Sequence, residues 1–152
     1  MRKWLIIGLL AVALVRVEHT GGQINQLEPV EAVILKQEDG AVCIETDTGA
    51  KGVGSNLKNA IDNLHTSASS KIFLDTARYL LVTSKTEKMI PQLYDVFRPN
   101  TMVCRIRGEA ELTGITAYLR NHIPKTKLCD LRAGKQEIQT LYYQEGRGQL
   151  VE

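Results

Sequence analysis

VEAVILKQEDGAVCIETDT, residues 30–48, decides how the fold is read. Val30 to Gln37 is dense in branched aliphatic residues, which suit a pleated surface buried on at least one side. Asp39-Gly40 supplies a tight turn, and beyond it Val42, Ile44 and Thr46 fall on one face of an alternating strand. Two antiparallel strands are expected, so a sheet organises the domain and the rest of the chain must cover it.

Working outward from this hairpin, GAKGVGS (49–55) reads as a break, after which Ser55 can cap a helix through His65. Leu57, Ala60, Ile61 and Leu64 share one face of that helix. KIFLDTARYLLVTS (71–84) leads into a strand centred on Tyr79 to Thr83. Ser84 and Glu87 then have capping-box spacing. Pro91 falls just beyond the first turn, which favours a short 3₁₀ turn before a helix to Phe97 that buries Ile90, Leu93, Tyr94 and Phe97. TMVCRIRG (101–108) reads as a strand, EAELTGITAYLRNH (109–122) as a third helix with Gly114 weakening its centre, and EIQTLYYQ (137–144) as a last strand. The expected class is α+β: a small mixed or antiparallel sheet with about three helices packed on it, preceded by an apolar N-terminal leader.

The expected organisation is a leader at 1–16, a spacer at 17–29, a single domain at 30–145 and a tail at 146–152. The chain has 152 residues, 43% hydrophobic, 24% charged and 5% aromatic, which describes one globular domain rather than a disordered chain. A net charge of +2 with no long basic run argues against nucleic acid as a partner.

MRKWLIIGLLAVALVR (1–16) sets the address. Arg2 and Lys3 form a positive start, followed by Trp4, Leu5, Ile6, Ile7, Leu9 and Leu10 in an apolar run. The twelve uncharged residues from Trp4 to Val15 span roughly 18 Å as a helix, short against about 30 Å of hydrocarbon. Three readings stay open: a signal peptide cleaved after Ala13, an uncleaved tilted anchor, or a first buried element. The membrane, or the exterior, is the expected location.

Chemistry-bearing patterns are sparse. Cys43, Cys104 and Cys129 make no CxxC, and His19, His65 and His122 make neither HxH nor HExxH, so no metal is expected. GAKGVGS lacks the GK[ST] ending of a P-loop, so it is a plain connection before a helix or, as the alternative, a cradle for an anion. No GxSxG elbow occurs, and Asp75 and Asp95 form no recognisable acid/base pair. Neither catalysis nor a cofactor is expected. Arg78 and Arg98, each beside an apolar run, are the candidate interface residues, since guanidinium groups pair bidentately with partner carboxylates.

Residues 47–121 resemble the N-terminal domain of the Ger(x)C family, the C subunits of bacterial spore germinant receptors. The resemblance is carried by SNLKNAIDNL, KIFLDTARYLLVTS, MIPQLYDVFRPN, TMVCRIRGEAE and LTGITAYL in that order. It implies a membrane-associated or exported protein-interaction module, docking with integral membrane subunits in sporulation or germination. The family's lipobox cysteine is absent from this leader, so attachment is expected through the uncleaved leader or through partners. The alternative is an exported domain that binds a small ligand or anion.

Overall fold

The computed structural model describes residues 27–108, 111–144 and 146–152. The leader, with Arg2, Lys3, Trp4, Leu5, Ile6, Ile7, Leu9 and Leu10, lies outside the described residues. In chain order the strands are β1 (Leu27–Pro29), β2 (Ala32–Glu38), β3 (Ala41–Thr46), β4 (Lys51–Gly54), β5 (Lys71–Phe73), β6 (Tyr79–Val82), β7 (Met102–Arg107), β8 (Gln139–Gln144) and β9 (Arg147–Val151). The α-helices are α1 (Leu57–Ser67), α2 (Leu112–Asn121) and α3 (Leu128–Arg132).

Seven strands make one mixed sheet in the order β4-β3-β2-β6-β7-β8-β9, while β1 and β5 pair in parallel beside it. The expected hairpin is β2-β3. Asp39 and Gly40 both have positive φ, 48° and 81°, and Glu38 pairs with Ala41, the two-residue turn whose twist matches the strands.

β2, β6, β7 and β8 are mutually parallel. A parallel strand covered by helices on both sides has no polar face, and Ala32–Leu35 and Tyr79–Val82 are indeed unbroken buried runs. On the first face Val33, Leu35, Val42, Ile44, Leu80 and Val82 meet Leu57, Ala60 and Leu64 of α1 together with Ile90, Leu93 and Phe97. On the second face Ala32, Ile34, Leu81, Cys104 and Leu141 meet Leu112, Ile115 and Leu119 of α2. Buried Tyr79 keeps its hydroxyl satisfied by donating to the Leu119 carbonyl at 3.1 Å.

Several local expectations change. Asn56, not Ser55, caps α1: its side-chain oxygen accepts from the Asn59 amide at 2.9 Å, and Ser55 Oγ accepts from the Asn59 side chain instead. The supposed break at 49–55 contains β4. A Cβ at Gly52 would stand 2.2 Å from the Ala60 carbonyl oxygen, and one at Gly54 would stand 2.4 Å from the Ala60 nitrogen. Those glycines let α1 lie directly on an edge strand.

The capping box at Ser84 and Glu87 does not form. Thr86 takes over the turn, accepting from the Thr83 amide at 2.9 Å and donating from its buried hydroxyl to the Leu35 carbonyl at 2.8 Å. The α-helix expected to reach Phe97 is a 3₁₀ helix over Glu87–Leu93, since Pro91 lacks the donor a longer α-helix needs. Ile90, Leu93 and Phe97 are buried as expected, whereas Tyr94 is half-buried. At the ends of the domain, Leu27–Pro29 of the expected spacer forms β1, and Arg147–Val151 of the expected tail forms β9.

Candidate functional site

Strand alternation divides the first sheet face into two halves. Over β2, β3 and β6 the inward side chains are apolar and covered, apart from buried Thr46 and half-buried Gln37. Along β7 the same face reads Val103, Arg105, Arg107, passing from buried through half-buried to exposed. On β8, Leu141 and Tyr143 point to the second face and are buried, so Thr140, Tyr142 and Gln144 occupy the first. Tyr142 is 43% exposed, whereas its neighbour Tyr143 is 7% exposed. On β9 the residues opposite them are Val151, Gln149 and Arg147, all exposed.

Arg105 marks the boundary between the halves. Its guanidinium grips both Glu87 carboxylate oxygens at 2.7 and 2.8 Å and donates to Thr140 Oγ1 at 3.2 Å, tying the end of the 3₁₀ cover to β8. Beyond it, Arg107 lies over the Tyr142 ring at 5.8 Å and directs Nη1 toward the Tyr142 hydroxyl at 3.4 Å. Among the described residues neither Arg107 nor Arg147 is in an ion pair with a carboxylate. An open groove of about 970 Å³ runs here, lined by Arg107, Tyr142, Gln144, Arg147 and Gln149 among others. Tyr and Arg are enriched at protein interfaces over the rest of the surface.

The two arginines singled out in sequence lie elsewhere, near the amino ends of β6 and β7. Arg98 pairs with Asp75 at 3.6 Å, with both side chains more than half exposed. Arg78 stands over the Tyr79 ring at 5.3 Å, and its backbone amide donates to Glu31, whose carboxylate is held by Arg120. The Arg120 hydrogen bonds hold the Glu31 carboxyl below the ordinary glutamate range, opposed by partial burial and helped by the charges of Arg120 and Arg78. Arg78 and Arg98 therefore share one end of the sheet, but Arg98 pairs with a carboxylate whereas the Arg78 guanidinium rests on an aromatic ring.

A second concavity, about 790 Å³, opens at the carboxyl ends of β2, β6 and β7, with Lys36, Glu38, Thr83, Lys85 and Glu111 among its walls. The chain leaving β6 packs on the first face and the chain leaving β7 packs on the second. This divergence is where ligands settle in open α/β sheets.

Burial pushes the Cys104 thiol up to about 12 and raises that of Cys43 as well. β2 and β6 separate the strands bearing these two residues, a gap of about 14 Å at ordinary strand spacing, so they cannot bridge. His122 stacks on Tyr118 with ring centroids 4.1 Å apart. Among the described residues no group of three His, Cys, Asp or Glu side chains is placed to hold a metal, and no helix is long and apolar enough to cross a membrane. Compared with protein-family models, curated proteins and solved structures, the chain matches none of them.

Arg107, Tyr142 and Arg147 were not singled out from sequence. The available signal was the alternation of QTLYYQ followed by RGQLV, in which large apolar residues take one face and leave the other to Arg, Tyr and Gln.

Proposed function

We propose that this chain is a membrane-associated or exported, non-enzymatic protein-interaction module, similar to the N-terminal domain of a spore germinant receptor C subunit and acting in sporulation or germination. The observation that carries this reading is the half-covered sheet. A domain that buries one half of a face under α1 and the 3₁₀ segment leaves Arg107, Tyr142 and Arg147 in the open on the other half. The order of hairpin, helix, strand, strand and helix through residue 121 is compatible with the resemblance, although a 3₁₀ segment, Glu87–Leu93, stands where the resemblance implies a helix, and β4 and β5 are additional. The mechanism is assembly: the sheet surface docks onto integral membrane subunits at the outer face of the cytoplasmic membrane.

The test is to measure the intact mass of the native protein in membrane and soluble fractions, and to crosslink it there. A full-length mass in the membrane fraction, crosslinked to integral proteins, is the expected result. A full-length protein confined to the cytosol overturns the reading.

The second reading is an exported domain for a small ligand or anion, favoured by the cleft where the connections after β6 and β7 diverge. Its original support, a glycine-rich anion loop, is weakened because Gly52 and Gly54 pack against α1. Concentration-dependent thermal stabilisation by phosphate or small carboxylates, lost in Lys36→Ala/Lys85→Ala, is its expected signature.

A further inference from the structure

The face left open over β7, β8 and β9 has a definite charge. On this half the described side chains include three arginines, and the only carboxylate engaging them, that of Glu87, is already taken by Arg105. Arg107 and Arg147 bracket Tyr142: Arg107 is its register partner on β7, and Arg147 pairs with Gln144 one same-face position further along β8. Two strand spacings across and two residues along put the two arginine Cα atoms about 12 Å apart. That is close to the spacing of every fourth residue in an extended peptide, about 13 Å. The residue midway between them would lie over the Tyr142 ring.

From this arrangement we infer that the open face docks an acidic, extended segment of a partner protein, with carboxylates four residues apart on Arg107 and Arg147 and an apolar or aromatic residue between them on Tyr142. Charge complementarity selects this occupant. The chain's own first 26 residues carry Arg2, Lys3 and Arg16 against Glu18 alone, so their charge does not complement the face. Nucleic acid is a poorer fit, since one exposed ring offers little stacking and the net charge is only +2.

This inference deepens the interaction reading and rests on it, and the two can fail separately. The probe is a fluorescent peptide in which glutamate alternates with valine around a central tyrosine, with a second peptide carrying glutamine at each glutamate. Binding to the full chain in mild detergent is read by fluorescence anisotropy at low salt. The glutamate peptide is expected to bind about tenfold more tightly than the glutamine peptide, and Arg107→Glu/Arg147→Glu to erase that difference. Lys58→Glu/Lys135→Glu, the same charge change at exposed sites elsewhere, is expected to leave it intact. Should the double reversal lower the unfolding midpoint, Arg107→Gln/Arg147→Gln repeats the test with less repulsion.

Equal binding of the two peptides, indifference to the arginines, or no binding at millimolar peptide overturns the inference. Tighter, arginine-dependent binding of single-stranded oligothymidylate overturns it in favour of nucleic acid, and a dimer dissolved by the reversal overturns it in favour of a second copy. Membrane crosslinks that survive the reversal keep the interaction reading and sink this surface. Arginine-dependent peptide binding in a chain that crosslinks to nothing keeps the surface and sinks the reading.

Discussion

The two halves of the first sheet face differ in which residues the strands direct toward it. Over β2, β3 and β6 the apolar inward positions, Val33, Leu35, Val42, Ile44, Leu80 and Val82, are covered by α1 and the 3₁₀ segment. Over the far ends of β7 and β8 and all of β9 the equivalent positions are Arg107, Tyr142, Gln144, Arg147 and Gln149, and they are exposed. One sheet thus changes from a two-sided to a one-sided structure across a single boundary residue, Arg105. A helix packed onto the second half would bury guanidinium groups without partners, a cost that exceeds what their alkyl stems return.

The contrast can be broken most severely on the covered side. Gly52→Val is expected to destabilise the domain by about 3 kcal/mol, because the new side chain meets the Ala60 carbonyl and forces α1 off β4. Urea unfolding monitored by circular dichroism checks this, and a loss below a few tenths of that size would mean that α1 sits loosely. Next in size is Thr86→Val, which removes a buried donor to Leu35 and an acceptor for Thr83. A loss of about 2 kcal/mol is expected in the same assay.

A smaller effect tests the charged amino end. Glu31 titrates below its ordinary value of 4.5 in the folded chain, so the native state binds fewer protons than the unfolded one in that range. Its contribution is fully present above about pH 4.5 and is lost as pH falls through the lowered folded value. The stability gap between the wild type and Glu31→Gln is therefore expected to close on acidification, and a gap constant from pH 7 to pH 3 would show that the Arg120 pair does not set it. Smallest of all, Tyr142→Ser on the uncovered half should change stability by no more than about 0.5 kcal/mol. A large loss there would mean that the open half is structurally required and would erase the distinction. Thiol labelling gives an orthogonal check: half-buried Cys129 should react first, while Cys43 and Cys104 wait for unfolding.

The fold was most legible where local chemistry has one structural solution. Asp39-Gly40 between branched runs specified a hairpin, and Leu57, Ala60 and Leu64 specified the buried face of α1. It was least legible where packing overrides local preference. Gly52 and Gly54 look like a loop, yet they form a strand because a helix lies on it. Ser84 and Glu87 have the spacing of a cap, but Arg105, far along the chain, claims Glu87. Residues 146–152 look like a tail because β9 carries only one good apolar residue, Leu150, toward the second face. The candidate surface was hidden for the same reason: exposure of Arg107 and Tyr142 depends on where the covering layer stops, and no local pattern records that.

The strand order also has a kinetic side. β2-β3-β4 and β8-β9 are hairpins that neighbouring residues can close early, but the seams between β2 and β6 and between β7 and β8 join Ala32 to Tyr79 and Cys104 to Gln139. Such long-range parallel pairings are slow to form. In a chain synthesised from its N-terminus, the apolar run of β2 therefore waits, one flank unpaired, until β6 has followed it. During that wait its unpaired flank is open to pairing with another copy of itself.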